Sequence, residues 1–460
     1  MPVRAIRKNL YEETKGNLMK KILIGVFALI ALLIALPFLL PTQTYLHQAE
    51  RIASDKLGVP VSIASGHWAL LPSPRVIVNE ITVGKLHEVK IAQLIVIPTI
   101  SSLFSNTKVI DLKVSKPMIK QAALEFLSAL SSSKSEAGNE VNTINISHIT
   151  VDELQLDWRN VKLPAINIEA SLTNTNALES AEFETIDGLL NANITHKGDE
   201  YLILVNMEKF VLPIGLPLLI DKAKLEMHLK GSQLEVPNID VALYNGRLSG
   251  NARMSWAKNW RATGQLKATN ISVKEPSSLV SKSVYLSGNL SAEGDFSSIA
   301  KEAANLADNL HADIKFKVNN GVLHGLDLVK VASLLIKQGQ SGGVTEFDEF
   351  SGLLNVTGKQ YQLHDLNISS GLLAATGQVK VKPNKALDGV IEVEVKRSVS
   401  LVAVPLVVSG TVSNPVVLPS KAALAGAIAG TAILGPGVGT SLGVKAGGAL
   451  RKFKGLFDSQ

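Results

Sequence analysis

VKVKPNKALDGVIEVEV, residues 379–395, decides the fold class. Val379 and Val381 alternate with Lys380 and Lys382, and Pro383-Asn384 marks a turn. Ile391, Val393 and Val395 then alternate with Glu392, Glu394 and Lys396. A period of two places the apolar side chains on one face of a sheet and the charged ones on the other. The pattern recurs upstream. Leu154, Leu156 and Trp158 alternate with Gln155 and Asp157, and Ile166 and Ile168 with Asn167 and Glu169. Turn signals punctuate these runs at Leu71-Pro72-Ser73-Pro74, Asn245-Gly246 and Asn319-Asn320-Gly321. The unbroken apolar runs of buried parallel strands are uncommon. The expectation is a mainly β chain, built as an elongated, curled antiparallel sheet.

Four short segments depart from the alternation. Tyr45 to Lys56 reads as a polar helix stopped by Gly58 and Pro60, and Gln121 to Leu130 as a brief helix before a serine-rich linker. Ser298 to Asn309 has an Ala-rich helical look, and Leu328 to Gln338 predicts a helix ended by Gly339. Strand and helix do not alternate, which argues against a doubly wound α/β fold.

The two ends are unlike the body. Ile22 to Leu40 carries no charge, and at about 1.5 Å rise per residue a helix of that length crosses a hydrocarbon core of about 30 Å. Arg4, Arg7, Lys8, Lys15, Lys20 and Lys21 precede it, so positive charge would hold residues 1–21 in the cytoplasm and send the body across. The competing reading, a cleaved signal peptide, is disfavoured by the length of the apolar run and by Thr-Gln-Thr-Tyr after Pro41. The expected organisation is a basic segment at 1–21, a transmembrane anchor at 22–40, a connecting helix at 41–56, a β domain at 57–420 and a Gly/Ala-rich segment at 421–460. In that last segment Gly435, Gly439, Gly443 and Gly447 recur every fourth residue. They would share one helix face and admit a second backbone, as in small-xxx-small packing. Gly435-Pro436-Gly437 suggests a hairpin of two short helices, against a plain flexible tail.

Composition narrows the function class. The hydrophobic share is 46% and the aromatic share only 5%, which suits strands and lipid contact better than stacking on bases. The chain has no cysteine, so thiolate metal sites and disulfides are excluded. The net charge of +6 comes substantially from the ends, and body Lys/Arg mix with Asp/Glu, which disfavours a nucleic-acid partner. Gly339-Gln340-Ser341-Gly342-Gly343 formally matches G-x-S-x-G, but that motif needs strand before serine and helix after, and here the order is reversed. The nine histidines form no local zinc motif. Asp388, Glu392 and Glu394 fall on the polar strand face, and Glu346, Asp348 and Glu349 flank Phe347 and Phe350 in an expected turn. No catalytic residue, metal or cofactor is expected.

Several stretches together resemble the AsmA-like proteins of Gram-negative envelopes. They are LGVPVSIASGHWALLPSPRVIVNEITVG at 57–84, LYNGRLSGNARMSW at 243–256, GVLHGLDL from Gly321, TEFDEFSGLLNV from Thr345, LNISSGLLAATGQVKV at 366–381 and PLVVSGTVSNPVVLP at 405–419. The resemblance implies a half-pipe sheet with an apolar inner groove, similar to bridge-like lipid-transfer proteins. It also implies an inner-membrane anchor, a periplasmic body and phospholipid as partner. About 20 strands at about 4.8 Å spacing would make a groove on the order of 100 Å long. The expected lipid-groove residues are Leu154, Leu156, Val379, Val381, Ile391, Val393 and Val395. The alternative is an envelope scaffold that meets outer-membrane proteins through the same sheet without carrying lipid.

Overall fold

The structure, a computed structural model, describes residues 42–105, 107–123, 144–157, 163–213, 215–332, 342–395 and 402–425. The expected anchor at 22–40, Gly435, Gly439, Gly443 and Gly447, and the C-terminal helical hairpin lie outside these residues. Among the described residues no helix is long and apolar enough to cross a membrane. The described residues are mainly β, with 22 strands and few helices, and the chain divides into two compact units, Met1–Thr195 and His196–Gln460.

The first unit opens with helix α1 (Thr42–Leu57) and strands β1 (Val61–Ala69), β2 (Arg75–Val83), β3 (Val89–Pro98), β4 (Lys108–Ser115) and β5 (Met118–Lys120). It continues through β6 (Ile144–Asp157), β7 (Ile166–Leu172), β8 (Leu178–Thr185) and β9 (Leu190–Lys197). Neighbouring strands pair antiparallel with one exception, since β4 and β5 both pair with β6 in parallel. The uniform antiparallel expectation is corrected there. Val78, Ile81, Val83 and Val89 form the core of this unit.

Helix α1 is amphipathic and lies along β1, where it protects an edge. Strand β1 pairs with β2, and the amides of Val61 and Ile63 donate outward to Ser54 Oγ at 2.9 Å and Glu50 Oε1 at 2.6 Å. An edge strand with open N–H groups invites intermolecular pairing, so these two side chains close part of it.

The second unit is a meander. It comprises β10 (Glu200–Val211), β11 (Leu219–Lys230), β12 (Gln233–Leu243), β13 (Gly246–Ser255), β14 (Trp260–Ser272), β15 (Tyr285–Ala300) and β16 (His311–His324). Strands β17 (Val344–Thr357), β18 (Gln360–Ser369), β19 (Leu373–Val381), β20 (Leu387–Val395), β21 (Val402–Thr411) and β22 (Asn414–Pro419) complete it. Each pairs antiparallel with the next, the expected signature of short turns. The Asn245-Gly246 signal makes a two-residue hairpin. Tyr244 (φ 47°) and Asn245 (φ 61°) both take left-handed backbone between the paired Leu243 and Gly246, as a type I′ turn requires.

Two short helices interrupt the meander, α2 (Lys274–Val280) and α3 (Leu328–Ala332). The start of α3 agrees with the expected helix at Leu328, and residues 333–338 lie outside the described part. The Ser298–Asn309 expectation is corrected. Ser298 to Ala300 extend β15, paired with Ala262 to Trp260, and only two 3-10 turns follow, at Ala303–Asn305 and Ala307–Asn309. Ladder pairing across a long strand outweighs the helix propensity of a few alanines.

A polar residue with left-handed backbone recurs inside the strands, and it changes which side chains face inward. In β6, Asp152 and Glu153 (φ 55°) oppose Asn167 alone. In β14, Thr269 and Asn270 (φ 55°) oppose Ser291. In β18, His364 and Asp365 (φ 51°) oppose Gln378. These are β-bulges, which bend the strand and increase its twist. At two of them the opposing side chain accepts from the bulged amide, Glu153 N to Asn167 Oδ1 at 3.0 Å and Asn270 N to Ser291 Oγ at 3.4 Å.

The Ile63 amide, and then His47, hold the Glu50 carboxyl below the ordinary glutamate range. A depressed carboxyl stabilises the fold above its unfolded pKa, and the gain is lost as pH falls through the folded value. Glu50→Ala should cost about 1–2 kcal/mol and speed amide hydrogen exchange along β1 at neutral pH. The wild-type clasp should loosen in the same way on acidification below about pH 4.

Candidate functional site, an apolar groove

The two faces of the second unit differ in chemistry. One carries cross-strand ion pairs, including Lys209–Asp221, Arg247–Asp240, Arg253–Glu235, Lys267–Glu293, Lys317–Glu349 and Lys382–Asp388. Lys317 holds the Glu349 carboxyl low, Arg247 does the same for Asp240, and Glu200 raises His228. These groups are solvated, and exposed pairs contribute little to stability. Their consequence is geometric, since they commit that face to water.

The opposite face is apolar along the whole unit. One cluster gathers Ile220, Ala223, Val241, Leu243 and Ile271, with Met207, Leu225, Leu248 and Leu290 packed against it. A second gathers Val318, Phe347, Ile368, Leu373, Val393 and Leu406, and Leu290 packs against this one too. Leu290 therefore joins the two into one surface. Among the described residues no second layer covers the β10–β14 part, where inward residues such as Met207, Leu225, Leu248 and Leu266 are half-buried.

From β15 onward the sheet curls back on itself. Ser283 Oγ, just before β15, donates to Ser413 O in the β21–β22 turn at 2.5 Å, although their strands are six ladder steps apart. The curl encloses a cavity of about 290 Å³. Its walls include Leu286, Leu323, Phe347, Phe350, Leu363, Leu366, Val379, Val381, Leu387 and Ile391, and Val412 and Pro415 close the far side. Thr376 is the one polar residue in the lining. Phe350 meets Phe347 and Phe316 edge-on, with centroids 5.9 and 5.3 Å away. Gly321 lets the Phe347 ring lie flat, since a Cβ there would come within 2.3 Å of the ring.

Helix α3 stops one end of this space. Leu328, Val331 and Ala332 are buried in the second cluster, over β17 and β20–β22. The helix is held from below by Thr345, whose hydroxyl accepts from Leu328 N at 2.9 Å and donates to Leu326 O at 2.8 Å. A backbone bridge between Leu326 and Gly342 closes the base of the excursion.

The expected groove residues fall into three places. Val379, Val381 and Ile391 are brought together on the cavity wall. Val393 is 0% exposed and Val395 packs beside it in the cluster that contains α3, so these two belong to the packed end. Leu154 and Leu156 are half-buried in β6 of the first unit; the bulge at Glu153 puts them on the same face as Ile149 and Val151. The sequence reading missed Phe347 and Phe350 because it placed them in a turn. They lie within β17, both inward although three residues apart, because the inward phase slips between them. The bulge at Asp365 hid Leu363 and Leu366 in the same way. Alternation counted separately on each side of these polar residues would have found them. Among the described residues no three His, Asp or Glu side chains converge as metal ligands.

Comparison with known proteins gives one family. The model of the AsmA family matches residues 203–358, from β10 to β17. Residues 203–358 are AsmA-like. The matched stretch holds the uncovered apolar face and the start of the curl. No curated protein and no solved structure matches the chain.

Leu406 is 0% exposed in the packed end, and Val390, on the other face of β20, is 37% exposed. Leu406→Ala should lower stability by about 2–5 kcal/mol. Val390→Ala should stay within about 0.5 kcal/mol. Denaturant midpoints of the two variants check both values.

Proposed function

We propose that this AsmA-like chain is an inner-membrane-anchored periplasmic groove protein. It takes up phospholipid by its acyl chains and supports their movement toward the outer membrane. The observation that carries the reading is the continuous apolar face of the second unit, uncovered at β10–β14 and curled around a nearly all-apolar cavity at β15–β22. An open apolar surface of that extent is a liability in water unless something apolar occupies it. An acyl chain of about 14 CH₂ groups gains on the order of 10 kcal/mol on burial at about 0.8 kcal/mol per group. Similar burial at successive strands leaves the chain free to slide, so the mechanism needs no bond making and no catalytic group. The curl of the second unit suits this sliding, and the ion pairs on its other face keep the protein in water around its cargo.

The scaffold alternative has less support. Strand β22 pairs with β21 alone among the described residues, but it carries Pro415 and Pro419, which have no N–H to offer a client strand.

Lipid extraction and mass spectrometry of the purified full chain test the reading. Wild type should carry phospholipid. Ile391→Asp, which sets a carboxylate on the cavity wall, should retain much less, and Val390→Asp on the outer face should retain the wild-type amount. A folded wild-type chain free of lipid, or equal retention in both variants, sinks the proposal. Ser341→Ala should leave lipid retention and envelope function unchanged; loss of function in a folded variant would make the serine of the G-x-S-x-G stretch a nucleophile and sink the reading.

A further inference from the structure

One end of the first unit is apolar where it should be polar. The N-terminus of α1, the β1–β2 turn, the β3–β4 connection and the start of β6 all lie at that end. The pairs Ala69↔Arg75, Val76↔Val96, Pro98↔Ile110 and Lys108↔Ile144 fix the strands there. The helix joins them because the Leu46 side chain sits against Gly66 near the end of β1. Five large apolar residues are exposed together at this end: Tyr45 (62%), Trp68 (41%), Leu71 (64%), Ile100 (60%) and Ile144 (57%). No acidic residue occurs in 66–76 or 99–110, and none in the first turn of α1. The cations present are Arg75, whose guanidinium donates to the Leu71 carbonyl, and Lys108, which donates to Ser105 O at 2.7 Å. The opposite end of the same unit differs, with Leu86 exposed among Lys85, His87 and Glu88.

What adjoins this end identifies its partner. The uncharged run 22–40 stops two residues before α1 begins, so on the anchored reading the bilayer adjoins the apolar end. Tyr and Trp beside cations, with no acid in the segments that carry them, are what a bilayer interface selects. We infer that this end of the first unit is seated in the lipid head-group layer. Trp68, Leu71, Tyr45, Ile100 and Ile144 dip into the acyl boundary, and Arg75 and Lys108 meet phosphate. The inference rests on the anchored reading proposed above and adds a second membrane contact, made by folded β structure. It would set the edge-protecting helix upright on the bilayer and fix where the apolar face of β1–β3 meets lipid.

The chain has no cysteine, so one introduced thiol is unique. L71C and L86C, both at exposed positions, are made in the full chain, nitroxide-labelled and reconstituted in phosphatidylethanolamine–phosphatidylglycerol vesicles. The label at residue 71 should be shielded several-fold from a water-soluble relaxation agent and reached by oxygen, and the label at 86 should remain in water. Both labels in water, in protein that floats with the vesicles, overturns the seating but leaves the anchor standing. Protein that does not float overturns both. A label at 71 that becomes immobile only on adding envelope proteins assigns the patch to a protein partner and overturns the lipid assignment. Lipid retention in the groove, measured on the same preparations, reports on the transport reading independently.

Discussion

A sheet with one apolar face and no second layer has to do something with that face, and the rest of this structure follows from the constraint. Most β proteins bury such a face by stacking a second sheet or a layer of helices on it. Here the described residues supply few helices, and in the inner cluster of the second unit α3 is joined only by Ala423, in the helical stretch 421–425. Twist and curl are the remaining means of bringing apolar side chains together. In β15–β22 they go far enough for Ser283 to reach Ser413. In β10–β14 they do not, and among the described residues the surface there stays half-exposed.

Bulges are one source of the bending. Glu153, Asn270 and Asp365 each add a residue to a strand, and each has a polar side chain that can stay on the watered side. Left-handed backbone strains most residues, although Asn and Asp tolerate it best. A conformation of that kind repeated in several strands points to a shape requirement more than to a local accident. The side-chain acceptors Asn167 and Ser291 reduce the penalty by satisfying the displaced amides.

The same apolar face serves two purposes at its two ends. Under α3 it is a close-packed core in which Leu373, Val393 and Leu406 are sealed. A few strands earlier it is half-exposed. The packed end seals its side chains completely, which the half-exposed end does not. The packed core and the half-exposed apolar surface are thus drawn from one set of side chains. This is why a single run of alternation, residues 387–395, lines the cavity at Leu387 and Ile391 and is sealed in the packed end at Val393.

The alternation of Val, Ile and Leu with Lys and Glu determined by itself that the chain is β, that its strands are two-faced and that short turns join them. Period two and turn chemistry are local properties, readable from a handful of neighbours. Tertiary structure decided the phase. Leu154 shares a face with Val151, and Leu366 with Leu363, only because an extra residue is accommodated against a partner strand. It also decided that Ser298 to Ala300 extend a strand, that β4 and β5 run parallel to β6, and that Val379 and Ile391 line a cavity while Val393 is sealed beneath a helix. Each of these depends on which strand lies opposite and on what the curl brings across the groove. Such contacts join residues far apart in the chain, and no local pattern encodes them.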